Sequence, residues 1–334
     1  MDKKFSYKKV FITGSTGVVG KKILEKLSKL EVETHALVRS KEGKKIVENF
    51  KAKPILGDVL ESGLEEKIGN ADLVFHVAGV NQMCSKNPSL MFNVNIKGTE
   101  NVINAANRAN VESFVYTSSA VSIGEDAGSL GTETSTHRGR FFSKYEESKF
   151  LAEENAFNMK KNFKFVSINP SSVQGPGRTS GTAKILKYVL NSSSPFMIKN
   201  YISVVDINDC ANGHLLGATK GLDGERYILN SFHMLSTELI EKLRELTEWN
   251  RKVTYMPKTL IRSFGYFGDI YKVLSKSSPL ICSESLRVMA HGHKYDGSKA
   301  QHELGLQYKS VDNFIIDTVH WLNQQGIIKI KLRD

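Results

Sequence analysis

Short apolar runs alternate along the chain with longer stretches in which apolar residues recur every third or fourth position. Val10-Phe11-Ile12-Thr13 is closed by Gly14, and Ile23, Leu24, Leu27 and Leu30 follow at helical spacing. The same rhythm predicts strands at 35–38, 54–56, 72–77, 114–117 and 165–168, with helices over 41–50, about 88–110 and about 143–160. Continuous apolar strands separated by helices mark a parallel sheet covered on both faces. The predicted fold is therefore α/β, a doubly wound parallel sheet of the Rossmann type.

After Pro170 the rhythm breaks. Residues 174–200 are rich in Gly, Ser and Asn, and 201–219 return to a strand and a helix. Beyond them lie a helix capped at Ser236, an aromatic stretch (Phe264, Tyr266, Phe267, Tyr271) and a last helix around 311–325. This pattern predicts a smaller, interleaved C-terminal domain. Residues 1–173 plus about 201–222 would form the dinucleotide-binding domain, and about 174–200 with 223–334 the substrate-binding domain. The aromatic stretch reads as an apolar face over a pocket, or as packing in the core or in a homodimer.

Composition narrows the class without changing the fold. The 334 residues are 40% apolar and 24% charged, as in ordinary globular proteins, which excludes disorder and fibres. No apolar run approaches the ~20 residues of a membrane span. The start, MDKKFSYKKVFIT, lacks the long apolar stretch and cleavage site of a secretory signal, so a cytoplasmic protein is expected. Cys84, Cys210 and Cys282 are far apart and read as reduced, partly buried thiols. His291 and His293 stand in an HGH with no nearby partner at ligand spacing, so no metal site is expected. Net charge is 46 − 35 = +11, but no basic run exceeds two residues, and this scatter gives no reason to expect nucleic-acid binding.

The candidate chemistry begins at the first strand's end. Gly14-Ser15-Thr16-Gly17-Val18-Val19-Gly20 opens the first predicted helix with GxxGxxG spacing. Glycines there permit a tight turn and close approach of backbone to a pyrophosphate, and a helix N-terminus offers free N–H groups to it. At the end of the second strand an NAD-binding fold usually carries an acid for the ribose; here Arg39 stands instead, with Lys44 and Lys45 beyond. A guanidinium suits a 2′-phosphate, so NADP is expected over NAD.

Tyr145 and Lys149 lie four residues apart, one turn along the same helix face. A phenol titrates ordinarily near ~10, and an ammonium close by would bring it toward neutrality as an acid/base group. Tyr116-Thr117-Ser118-Ser119-Ala120 ends the fifth strand, on the edge where doubly wound folds bind ligands.

Taken together, TGSTGVVG, HVAG (76–79), NIKGT (95–99), YTSSA (116–120), YEESK (145–149) and NPSSVQGPG (169–177) resemble the extended short-chain dehydrogenase/reductases in order and spacing. The later segments YISVVDINDCANGHLLGATKG and GERYIL are similar too, so the resemblance covers nearly the whole chain. KYEESKFLAE and SINPSSVQGPG look most like the dihydroflavonol 4-reductase-like branch. That branch also holds 3β-hydroxysteroid dehydrogenase-like and hopanoid-associated sugar epimerase-like proteins. The resemblance implies Ser119 as the catalytic serine, with Ser118 its neighbour, Tyr145 as the general acid/base, and Lys149 as the residue that holds the nicotinamide ribose and lowers the tyrosine pKa. It implies Gly14, Thr16, Gly17, Val18 and Gly20 at the pyrophosphate, Arg39 at the 2′-phosphate, and Asp58 and Val59 at the adenine. Val77, Ala78 and Gly79 would wall the cofactor, Pro170 and Val173 would touch the nicotinamide end, and Asn95 would support the site. Gln174 departs from the tyrosine of the usual VYGPG.

Two enzyme readings follow, an NADP(H)-dependent ketone reductase (or the reverse alcohol dehydrogenase) and a nucleotide-sugar epimerase that recycles a bound dinucleotide. A sugar 4,6-dehydratase would have Thr-Asp-Glu at the serine site. A third reading is a non-catalytic dinucleotide sensor, a class that tends to lose the Tyr/Lys pair. Each takes a small-molecule ligand.

Overall fold

The computed structural model describes residues 5–179, 183–274 and 281–333. The chain begins β1 (Lys9–Thr13), α1 (Val18–Leu27), β2 (Glu33–Val38), α2 (Lys41–Glu48), β3 (Lys53–Leu56), α3 (Leu64–Ile68) and β4 (Leu73–His76). It continues with α4 (Pro88–Phe92) and α5 (Gly98–Arg108), joined by one wide π-turn over Asn93–Lys97, then β5 (Ser113–Thr117), α6 (Lys144–Asn158) and β6 (Lys164–Pro170). Next come β7 (Ser172–Gln174), α7 (Ala183–Asn191), β8 (Phe196–Ile198), β9 (Tyr201–Asp206), α8 (Ile207–Lys220), β10 (Glu225–Leu229), β11 (Phe232–Leu235) and α9 (Ser236–Leu246). The last elements are β12 (Thr254–Met256), α10 (Lys258–Leu274), α11 (Ser283–His291), α12 (Ser298–Leu304) and α13 (Val311–Gln324).

Seven strands form one parallel sheet in the order β10-β6-β5-β4-β1-β2-β3. Alternation along each strand sends neighbouring residues to opposite faces. Val10 and Ile12 meet Ile23, Leu24 and Leu27 of α1 and Cys210, Ala211 and Ala218 of α8 on one face. Phe11, Phe114 and Tyr116 meet α3 and α5 on the other, through Leu64, Ile68, Val102, Ile103 and Ala106. Both faces are dry, which accounts for the continuous apolar runs.

The C-terminal lobe has its own core, where α7, α9 and α13 gather around Trp249 and Phe314. Strands β11-β9-β7 and β12-β8 make two small sheets in this region. The expected division at 201–222 and 223 needs two corrections. Strand β9 pairs with β7 and β11 rather than joining the large sheet, whereas β10, beyond the expected boundary, forms that sheet's edge beside β6. Helix α12 follows it there, with Ala300 and Leu304 in the core under α8. The helix at Ser236 also begins differently: Leu235 occupies the cap position, and its N–H donates to Glu238 at 2.7 Å.

The expectation of reduced thiols is overturned as well. Cys84 and Cys282 form a disulfide across 198 positions, and only Cys210 is free among the described cysteines. Sequence spacing gave no hint of it, because the partners lie on different lobes. Of the aromatic stretch, Tyr266, Phe267 and Tyr271 are exposed on α10, so these three are not core; the Phe264 side chain lies outside the described residues.

Candidate active site

The glycine turn follows from β1. Gly14 has φ +69°, and a Cβ there would land on the Val77–Ala78 backbone of the neighbouring strand's end. A Cβ on Gly20 would meet the Gly14 carbonyl, so α1 can start this close to the turn only with glycine. The Gly17 N–H closes the turn onto the Gly14 carbonyl at 3.0 Å. Gly17 caps α1 without a side-chain acceptor, and no acid stands in the first turn, so the helix's first N–H groups face outward beside exposed Thr16 and half-buried Val18.

A chain of hydrogen bonds ties this turn to α6. Ala78 N–H donates to Thr13 Oγ1 (3.2 Å), which lies 2.8 Å from His76 Nδ1. His76 Nε2 lies 3.0 Å from Thr99 Oγ1, whose own proton goes to the Asn95 carbonyl at 2.6 Å. The directions are consistent only with the neutral ring protonated on Nε2. Burial, with Lys149 beyond, holds His76 down to about 3, so it stays neutral. Asn95 then accepts from Val80 N–H at 2.7 Å and donates to Ser148 Oγ at 2.9 Å. Ser148 lies on α6 between Tyr145 and Lys149 and donates to the Tyr145 carbonyl at 2.8 Å.

Helix α6 is capped by Ser143, whose Oγ accepts from Glu146 N–H at 3.1 Å. Its first turn carries half-buried Tyr145, whose phenol is close enough to the Ser119 side chain to feel it. Ser118 points elsewhere, its Oγ 3.4 Å from Ser122 Oγ. One turn on, Lys149 is buried and donates to the Tyr116 hydroxyl (3.0 Å) and the Thr117 carbonyl (2.8 Å).

Burial pushes the Tyr145 phenol above its ordinary value, opposed by the Ser119 hydroxyl and by the positive charge of Arg178. The Lys149 ammonium is turned onto β5. Burial lowers Lys149 to about 8 despite Glu153.

Around these groups, Asp58 accepts from Leu60 N–H at 2.9 Å, and Val59 is buried against Gly98. Arg39 is 76% exposed, with its nearest carboxylate oxygen on Asp58 at 3.9 Å. Val77, Ala78 and Gly79 line the end of β4 beside the turn. Pro170 and Val173 are buried in β6 and β7. Gln174 is buried too and donates to Ser172 Oγ at 2.9 Å.

Several residues were missed from sequence. Glu153 lies under the site, accepting from Ser167 Oγ (2.7 Å) and Asn169 Nδ2 (2.8 Å). Its position four residues after Lys149 was a readable signal. Arg178 follows β7 in a loop, and no local pattern announces its approach to Tyr145. Glu125 meets His293 Nδ1 at 2.6 Å and His291 Nε2 at 3.3 Å. This supplies the carboxylate neighbour that the HGH lacked in sequence. The His293 contact is a hydrogen-bond distance, shorter than the ~3.3 Å separating two ligands of a tetrahedral metal. Burial works to raise Glu125, but the two imidazoles win and hold it at about 2.

Known proteins share this fold. Residues 10–229 match the NAD dependent epimerase/dehydratase family. A protein of Synechocystis sp. named "Putative dihydroflavonol 4-reductase" is 28% identical over 330 residues, covering 96% of each chain. The crystal structure of gox2253 superposes with a TM-score of 0.82 at 22% identity, over 96% of this chain and 100% of that one. A UDP-glucose 4-epimerase from Thermotoga maritima, solved with UDP-glucose, gives 0.74 at 18% identity, over 95% and 99%. No described helix is long and apolar enough to cross a membrane. With the glycine turn, the seven-stranded parallel sheet and the family match in agreement, the chain belongs to the NAD dependent epimerase/dehydratase family and is an oxidoreductase of the extended short-chain dehydrogenase/reductase type.

Proposed function

We propose that the chain is an NADP(H)-dependent reductase of a small-molecule ketone, or the reverse secondary-alcohol dehydrogenase. The observation that carries this reading is the placing of Ser119, just past the carboxyl end of β5, beside the Tyr145 phenol, with buried Lys149 one turn on. The turn at Gly14, Gly17 and Gly20 fits a pyrophosphate, because glycine lets β1, the turn and α1 pack backbone to backbone and α1 then offers uncapped N–H groups there. Asp58 and Val59 would hold the adenosine end, and Val77, Ala78, Gly79, Pro170 and Val173 the nicotinamide end. The bound nicotinamide supplies the hydride chemistry.

The chain's own residues handle the proton. Tyr145, held protonated at neutral pH by burial, donates to the substrate oxygen. Ser119 keeps a hydrogen bond on that oxygen as negative charge develops. Lys149 would hold the ribose from its seat on Thr117.

Arg39 favours NADP: its exposed guanidinium stands at the end of β2 where an acid would select NAD. An exposed charge-assisted contact corresponds to roughly a tenfold preference. Titration of both cofactors against wild type and Arg39→Glu tests this. NADPH should bind about tenfold tighter to wild type, and the preference should narrow or invert in the variant. Equal affinities in wild type would refute the Arg39 assignment. For the reaction itself, NADPH absorbance should fall in step with alcohol formed across a panel of ketones. Product formed with no net NADPH loss would replace the reductase with a recycling epimerase.

A further inference from the structure

A cavity of about 890 Å³ opens between the catalytic helix's entry loop and the C-terminal lobe. Its wall contains Ala127 and Gly128, which follow the short 3-10 turn that Ser119 begins, and Phe142, three residues before Tyr145. The cavity thus lies beside the segments that follow Ser119 and precede Tyr145, although neither of those two residues lines it. Leu235, Leu286 and Tyr266 supply apolar surface, and Tyr266 stands 70% exposed at the lip.

The charges on this cavity are of one sign. Arg140, Lys199 and Arg287 all line it, and among the described residues no carboxylate does. All three are exposed, and among the described residues none of them is ion-paired. Arg287 is held in place, its Nε donating to the Phe142 carbonyl at 3.2 Å. The potential carboxylate of the inner wall, Glu125, is turned onto His291 and His293 instead. An apolar chamber with a rim of cations is complementary to a ligand with an apolar body and a negative end.

We propose that the substrate is an amphiphilic anion, a ketone on an apolar frame whose carboxylate is held at the rim by Arg140, Lys199 and Arg287. This substrate class rests on the reading of Ser119 and Tyr145 as a ketone-reducing pair. A neutral ketone would leave the charge of the three cations unanswered by a counter-charge, and a hydrophilic sugar would sit poorly against Leu235 and Leu286. The volume admits a body of several fused rings.

The test separates the substrate class from the reaction. Binding of 1-pyrenebutyrate and of 1-pyrenebutanol, which share the apolar frame and differ in the acid group, is followed by fluorescence anisotropy at low salt. Wild type should bind the acid about tenfold tighter, since each exposed ion pair contributes modestly and three act together. The triple variant Arg140→Gln, Lys199→Gln, Arg287→Gln should bind both alike, at the affinity wild type shows for the alcohol. Lys199→Gln alone, far from the Phe142 contact, should already lose part of the preference and keeps the test open should the triple variant melt early. Equal binding by wild type overturns the proposal. So does a preference that survives in the triple variant, because it would then belong to the chain's general positive charge. The turnover arm pairs apolar keto acids with their methyl esters, with NADPH loss as readout. Faster loss with the acids supports the proposal, and loss with esters alone overturns it while leaving the reductase standing. UDP-glucose that displaces pyrenebutyrate and is converted without NADPH loss overturns the ketone and the reductase together.

Discussion

At the scale of single residues, two groups on one helix have different consequences. Removing only the Tyr145 hydroxyl, in Tyr145→Phe, takes away the proposed proton donor and leaves the ring. Turnover is expected to fall about 10²–10⁴-fold, with dinucleotide affinity unchanged by titration. Retained turnover would move the acid elsewhere. Lys149 is an ammonium held in the interior, and burial lowers it to about 8. In the free enzyme kcat/KM for the NADPH reaction should therefore decline as pH rises through about 8. Stability runs the other way. The unfolded chain keeps this proton until about 10.4 while the folded chain gives it up near 8, so unfolding takes up protons in that window and stability rises with pH. The melting temperature of wild type should consequently gain on that of Lys149→Met between pH 8 and 10. A constant gap would mean the lysine titrates normally in the fold.

At the scale of elements, the β1–α1 turn shows how a spacing becomes a shape. The helix begins so close to the turn that a methyl group on Gly20 would collide with the Gly14 carbonyl. Gly20→Ala is expected to destabilise the fold by about 1–3 kcal/mol and to weaken dinucleotide binding, both visible in melts with and without cofactor. An alanine variant that bound cofactor as wild type does would show that the helix can retreat without cost. The same scale explains what was legible. The strands of the large sheet are buried on both faces, so their apolar runs stood out, whereas Ser119, Tyr145 and Lys149 were legible through the motifs YTSSA and YEESK rather than through periodicity. Strand β10 was misassigned because Glu225–Leu229 reads locally like any edge strand, and its partner β6 is 59 residues earlier by register (Glu225 against Val166). The approach of Arg178 to Tyr145, and of Glu125 to His291 and His293, is set by how loops return from different lobes. No local pattern encodes that.

At the scale of the whole molecule, the disulfide dominates. It joins the loop after β4 to the start of α11 across 198 positions. In the chain-entropy account, closing a loop on the order of 200 residues removes about 5 kcal/mol of unfolded-state freedom, an upper figure for the stabilisation. Reductant should lower the melting temperature of wild type and leave Cys84→Ser unmoved. Thiol titration in denaturant should count one free cysteine before reduction and three after it, given three cysteines with one free. Three free thiols before reduction would remove the bond.

The stretch from Cys282 to Tyr295 touches the sheet-bearing part at several places at once. Beside the disulfide, Glu284 accepts from the N–H of Cys84 at 3.1 Å and of Lys144 at 3.3 Å, and Gly131 N–H donates to the Lys294 carbonyl at 2.8 Å. His291 and His293 grip Glu125. In evolutionary terms the C-terminal lobe is therefore not an exchangeable cassette. A chimera that grafted a relative's last hundred residues onto this chain would inherit a lobe cut for a different loop at 84, a different acid at 125 and a different helix start at 144. New substrate ranges in this lineage should arise by paired changes on both sides of the seam, and residues 84 with 282, and 125 with 293, should vary together among close relatives.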